Sequence, residues 1–109
     1  MATNYKVLGQ SAPSATTATD VYTVPAATQT IISSIVVTER GGSAGTFRIA
    51  VRPNGAALSN EHYIAYDAPI QANDIVGLTL GITMDAADVL TVYCSSANMS
   101  VNISGSEVS

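Results

Sequence analysis

From Asp74 to Met84 the side chains alternate. Val76, Leu78, Leu80 and Ile82 hold one parity, while Gly77, Thr79, Gly81 and Thr83 hold the other. A period of two is what a strand with one buried face requires, so this stretch is expected to be the core strand around which the chain is organised. Thr46–Pro53 alternates in the same way, with Phe47, Ile49 and Val51 inward and Arg48 and Arg52 outward. Met99, Val101 and Ile103 alternate with Ser100, Asn102 and Ser104. Thr30–Thr38 differs because both parities are apolar; it reads as a strand covered on two sides or one that changes neighbours midway.

Three further segments are strand-like: Asp20–Pro25, stopped by a proline that cannot donate to a central ladder, His62–Asp67, ended near Pro69, and Val89–Cys94. Between them lie turn formers. Gly41-Gly42-Ser43-Ala44-Gly45 is the strongest turn signal and reads as a hairpin connection. Asn54 to Asn60 reads as a loop, and Gln71–Asp74, Asp85–Asp88 and Ser95–Asn98 as turns. No window has a helical period, and Ala56 to Glu61 supports at most one helical turn.

About eight strands at a spacing of about 8 to 12 residues predict an all-β fold: a single antiparallel β-sandwich with jelly-roll or Greek-key-like connectivity. Residues 1–19 combine a short apolar start, Tyr5–Gln10, with a stretch lacking periodicity and bulk. They are expected to form an extended N-terminal arm and loop, which leaves the sandwich to residues 20–109. Such an arm could pair with the sheet edge of a neighbouring subunit.

Composition narrows the setting. Hydrophobic residues are 47% of the 109, but charged residues only 11%, against about 25% in ordinary soluble domains. So little solvating charge points to a domain covered by neighbours; a monomer solubilised by Ser, Thr and Asn is the competing reading. The net charge of −4 and only four basic residues leave no cationic stripe for phosphates, so nucleic acid is not an expected partner. No apolar run approaches the ~20 residues of a membrane-spanning helix. Met1–Lys6 does not read as a secretory signal.

Candidate chemistry is sparse. His62 could meet Asp67 and a serine, but no nucleophile elbow accompanies them, so no triad is assigned. Asp74, Asp85 and Asp88 lack the dense oxygen-ligand spacing of a calcium loop, and the last two read as turn caps. Cys94, alone and in register with Leu90 and Val92, reads as a small buried hydrophobe. The glycine-rich turn lacks the lysine of a phosphate loop. No catalytic, metal or cofactor site is expected. Arg48 and Arg52 share a strand face about 13 Å apart and could pair with carboxylates of a neighbour; solvated arginines are the competing reading, since most exposed ion pairs contribute little. With Tyr63 and Asp67 they form the candidate interface.

Several stretches together resemble a family: Val7-Leu8-Gly9-Gln10-Ser11-Ala12-Pro13, Val21-Tyr22-Thr23-Val24-Pro25, Phe47–Arg52, His62–Asp67, Leu78–Thr83 and the ending Ser104-Gly105-Ser106-Glu107. They look like small virion structural proteins of tailed bacteriophages, especially cyanophages. The resemblance implies an accessory, non-enzymatic β-sandwich subunit, made in the host cytoplasm and present in several copies on the virion. It would decorate or cement the head, or build a neck or tail appendage. The expected partners are copies of itself, as a trimer by analogy, and the major capsid or tail proteins. The alternative is a carbohydrate-binding module of a tail fibre, with Tyr22, Tyr63, Tyr66 and Tyr93 supplying stacking surfaces.

Overall fold

In the computed structural model, which describes residues 2–109, the alternating stretches become nine strands. They are β1 (Thr3–Ser11), β2 (Thr19–Thr23), β3 (Gln29–Glu39), β4 (Gly45–Arg52), β5 (Tyr63–Ile70), β6 (Ile75–Leu78), β7 (Ile82–Met84), β8 (Val89–Cys94) and β9 (Met99–Val108). Two single 3-10 turns, Pro53–Gly55 and Asn60–His62, flank residues 56–59, which are not helical, so the one turn allowed for Ala56 to Glu61 is met only at its end.

The strands form two antiparallel sheets. Sheet A has the order β1-β9-β3, with β6 and β7 sharing the far side of β3; sheet B has the order β2-β8-β4-β5. Successive pairs nest: β1 with β9, β2 with β8, β3 with β7 and β6, and β4 with β5. The chain is thus one long antiparallel ribbon rolled over itself, closed by β9 against β3 and β8 against β4. That is jelly-roll connectivity, in which two sheets enclose one core. The inner faces bury Ile32, Ile35, Val37, Met99, Val101 and Ile103 from sheet A against Phe47, Ile49, Leu90, Val92 and Cys94 from sheet B.

The apolar residues on both parities of β3 have a local cause. A bulge between Ile32 and Ser34 shifts the register against β9, so Ile32 and Ile35, three apart, both point inward. On its other side β3 passes from β7 at Thr30–Ile32 to β6 at Ile35–Thr38. The change of neighbours expected from the sequence is real.

Three expectations need correction. Asp74–Met84 is not the central strand. Its two strands form an edge of sheet A, and the chain leaves the ladder at Thr79–Gly81, where Gly81 adopts φ +64°. Val76, Leu78 and Ile82 pack on the core as their parity predicts, but Leu80 is 53% exposed. Alternation reports that one face is buried and says nothing of lateral position; the central strands are β9, β3, β8 and β4.

Gly41–Gly45 does not close a hairpin, because β3 and β4 lie in different sheets. The loop crosses over the sandwich end and is held by the Glu39 carboxylate, which accepts from the backbone N–H groups of Gly41, Gly42, Ser43 and Asn73.

The N-terminal segment is extended but not separate. β1 pairs with β9 from Thr3↔Val108 to Ser11↔Val101, and Ala2 and Ser109 exchange two further backbone bonds. The sheet edge that the expected arm would seek in a neighbour is supplied by its own chain. Met1, the first residue of that arm, lies outside the described residues.

Candidate interaction surfaces

The outer face of sheet B carries the candidate residues. Opposite Arg48 on β4, β5 places two residues, Tyr66 and Asp67, between the pairs Ile49↔Ala65 and Phe47↔Ala68. This bulge sets Asp67 at φ +49°, a backbone region that Asp tolerates better than most side chains. It breaks the parity of β5 and turns Tyr66 and Asp67 together towards Arg48. Arg48 Nε donates to Asp67 Oδ1 at 2.7 Å and Nη2 donates to Oδ2 at 3.3 Å. The guanidinium lies 4.2 Å from the ring centroid of Tyr66 and 4.3 Å from that of Tyr93, within cation–π range of both. Tyr63 meets Tyr66 edge-on, with centroids 4.9 Å apart. The hydrogen bonds from Arg48 hold the Asp67 carboxyl below the usual carboxylate range.

Three of the four candidates, Arg48, Tyr63 and Asp67, therefore come together. Arg52 belongs to another cluster: Nη2 donates to Asp20 Oδ1 at 2.9 Å, Nε to Thr91 Oγ1, and Nη1 to the carbonyls of Gly55 and Ala56. It clamps the loop after β4. Neither solvated arginines nor carboxylates of a neighbour, the two readings the sequence offers, describe them; both find carboxylates within the chain. Tyr66 and Tyr93 are the members that the interface assignment lacked. Tyr93 was legible from its parity opposite Cys94, whereas the bulge hides Tyr66.

The outer face of sheet A is different in kind. Pairing sets out rows across it: Tyr5, Ser106, Ile31 and Thr83; then Val7, Ser104 and Ser34; then Gln10, Asn102, Val36 and Gly77. Among the described residues, none of its outward positions is charged. Lys6 turns the other way and pairs with Glu107 at 2.6 Å. Tyr5 is 84% exposed, Val7 55% and Ile31 45%.

Every sheet edge is blunted against strand addition. β1 carries the inward-turned Lys6 and a register shift at Leu8. β2 has five residues with a shift at Val21, β5 has two shifts and Pro69, and β6 and β7 are short and separated.

The remaining titratable groups serve the fold. His62 Nδ1 accepts from the Ser59 N–H and closes a 3-10 turn. Asp85 and Asp88 cap their own turn, as the sequence suggests, and Asp88 also accepts from Asn54 N–H. Cys94 is fully buried, and burial pushes its thiol pKa up. Tyr22 is buried too, donating to Glu107 and bonded to Thr30 Oγ1 at 2.7 Å; it is unavailable as a stacking surface. No protein-family model matches the chain, and no curated protein is significantly similar to it.

Proposed function

We propose that this chain is a non-enzymatic structural subunit of a tailed-phage virion. It would decorate or cement the head, or build a neck or tail appendage, through self-association and contacts with the major capsid or tail proteins. The observation that carries the reading is the uncharged outer face of sheet A, where Tyr5, Val7 and Ile31 stand in solvent on a jelly roll with blunted edges. Exposed apolar groups on a charge-free sheet face suit a subunit covered by its neighbours. Sheet B complements this role, because its arginines are held by the chain's own carboxylates.

The test is immunogold electron microscopy of intact particles produced by the genome that encodes this chain, with protein quantification of the same particles. Label over the head at stoichiometric copy number identifies a decoration or cement subunit. Label at the neck or tail identifies an appendage subunit. Particles without label overturn the reading.

A second reading, a carbohydrate-binding module of a tail fibre, is favoured by one observation. Tyr66 is 57% exposed and neighbours Asp67 in the chain, pairing an aromatic surface with a hydrogen-bond acceptor. Glycan-array binding lost on Tyr66→Ala supports it, and an array without signal removes it.

A further inference from the structure

We propose that the outer face of sheet A is where a second copy of this chain docks, face to face about a two-fold axis. The inference rests on the self-association in the reading above and goes beyond it by naming the surface and the symmetry.

Charge makes the first argument. The chain carries a net −4, so two copies repel unless they meet where carboxylates are absent. The rows from Tyr5 to Thr83 and from Gln10 to Gly77 carry no carboxylate of their own; Asp85 and Asp88 stand only at one end, beside Ile31 and Thr83. A charged partner would find nothing there to pair with. A second copy, by contrast, buries no ion on either side.

Self-complementarity makes the second. Ser104 and Asn102 on β9 pair with Ser34 and Val36 on β3, and hydroxyls and amides donate and accept alike. An isologous contact demands that property, because each patch meets itself. Small residues along the centre also let two sheets approach to about 10 Å, the usual face-to-face spacing.

Area makes the third. Three strands of 9 to 11 residues, β1, β9 and β3, with the short β6 and β7 sharing a fourth place, span about 600 Å² of flat sheet at a strand spacing of about 4.8 Å. Side-chain relief enlarges that towards the roughly 800 Å² per partner of a standard stable interface. The blunted edges argue against strand addition as the mode of assembly. A cyclic trimer needs two different patches that fit each other. The charged, internally paired face of sheet B does not complement the neutral face of sheet A.

Sedimentation velocity and light scattering on the purified full chain, from about 1 to 500 µM, test the proposal. The expected result is a monomer–dimer equilibrium. Ile31→Arg, on the interior strand β3 of the face, should weaken dimerisation at least 100-fold, and Tyr66→Ala on sheet B should leave it unchanged. Should Ile31→Arg fail to fold, Tyr5→Glu, at a nearly fully exposed position, supplies the same readout. A chain monomeric throughout, a trimer, or a dimer indifferent to Ile31→Arg and Tyr5→Glu overturns the proposal. A monomer that nevertheless labels particles overturns this inference alone. A dimer whose particles carry no label overturns the virion reading alone.

Discussion

Arg48 and Asp67 form a two-point ion pair across the β4–β5 ladder, with Nε to Oδ1 at 2.7 Å, and Asp67 makes it from a left-handed backbone at φ +49°. Charge and backbone can be separated by substitution. Asp67→Asn keeps a residue that accepts the left-handed region and removes the charge; Asp67→Ala removes both advantages. The expected fall in melting temperature is about 1–3 °C for Asp67→Asn and about 4–8 °C for Asp67→Ala, with Asp67→Gly between them. Equal losses for all three would mean that the backbone conformation costs nothing. Thermal melts by circular dichroism decide.

The Glu39 carboxylate accepts four backbone N–H groups, from Gly41, Gly42, Ser43 and Asn73, which hold its pKa below the ordinary 4.5, the Asn73 bond most strongly. A lowered folded-state pKa contributes stability that is fully present above about pH 4.5. It is lost as pH falls from there through the folded value. Glu39→Gln should lower the melting temperature by about 10 °C or more at pH 7. Its pH dependence between pH 5 and 3 should be shallower than the wild type's. A variant with unchanged slope would show that other carboxylates, such as Glu107 and Asp67, carry the acid sensitivity.

The same two residues, Glu39 and Asp67, mark where the sequence stopped being readable. Parity assigned the inward residues of β4, β8 and β9 correctly, because an unbroken ladder projects a period of two onto the sequence. A bulge breaks that projection, as at Ser33, at Leu8 and at the Tyr66–Asp67 pair. Parity also could not tell an edge from a centre, so Asp74–Met84 looked central when its glycines and threonines mark a broken edge. The arginines of β4 were found from their parity, but their partners were not. Asp20 and Asp67 lie 32 and 19 residues away from Arg52 and Arg48, and only the rolled ribbon brings them together. The neutral face of sheet A is a property of five strands brought together and has no signature within any one of them.

Tyr22 reaches from sheet B to Thr30 and Glu107 of sheet A, and Lys6 closes the network on Glu107. Burial first, then the hydrogen bond to Glu107, pushes the phenol up to about 12. A raised folded pKa means that this stabilisation is complete below about pH 10 and is lost as pH rises through 12. Tyr22→Phe keeps the ring and deletes the hydroxyl, leaving a buried carboxylate without one donor, at a cost of about 1–3 kcal/mol. The difference in phenolate absorbance between wild type and Tyr22→Phe should develop near pH 12. A difference already half developed at pH 10 would show the hydroxyl to be solvated.

Cys94 follows Leu90 and Val92 on the inner parity of β8, with no exposed surface and a thiol pKa raised by burial. Thiolate is the reactive form, so both access and ionisation oppose modification. An aromatic disulfide reagent at pH 8 should react with the native protein at least about 100 times more slowly than with the protein in denaturant. Prompt reaction of the native protein would require β8 to open locally. Cys94→Val, similar in volume, should change stability by less than about 1.5 kcal/mol.

Gly105 lies where β9 passes the bulge of β3, and a Cβ placed there would meet Ile31 O at 2.1 Å and Ile32 Cα at 3.0 Å. Both atoms are backbone, so no rotamer change can relieve the contact. The alternative is to push β3 and β9 apart at the seam that closes the jelly roll. Gly105→Ala should therefore cost about 2–4 kcal/mol. Gly77, on the same sheet with nothing within 4 Å of its virtual Cβ, should tolerate alanine with a change below about 0.5 kcal/mol. Urea unfolding of the two variants separates the explanations. Equal, small losses would mean that the bulge relaxes freely, and a large loss at Gly105 alone would make the close approach of β3 and β9 a condition of the fold.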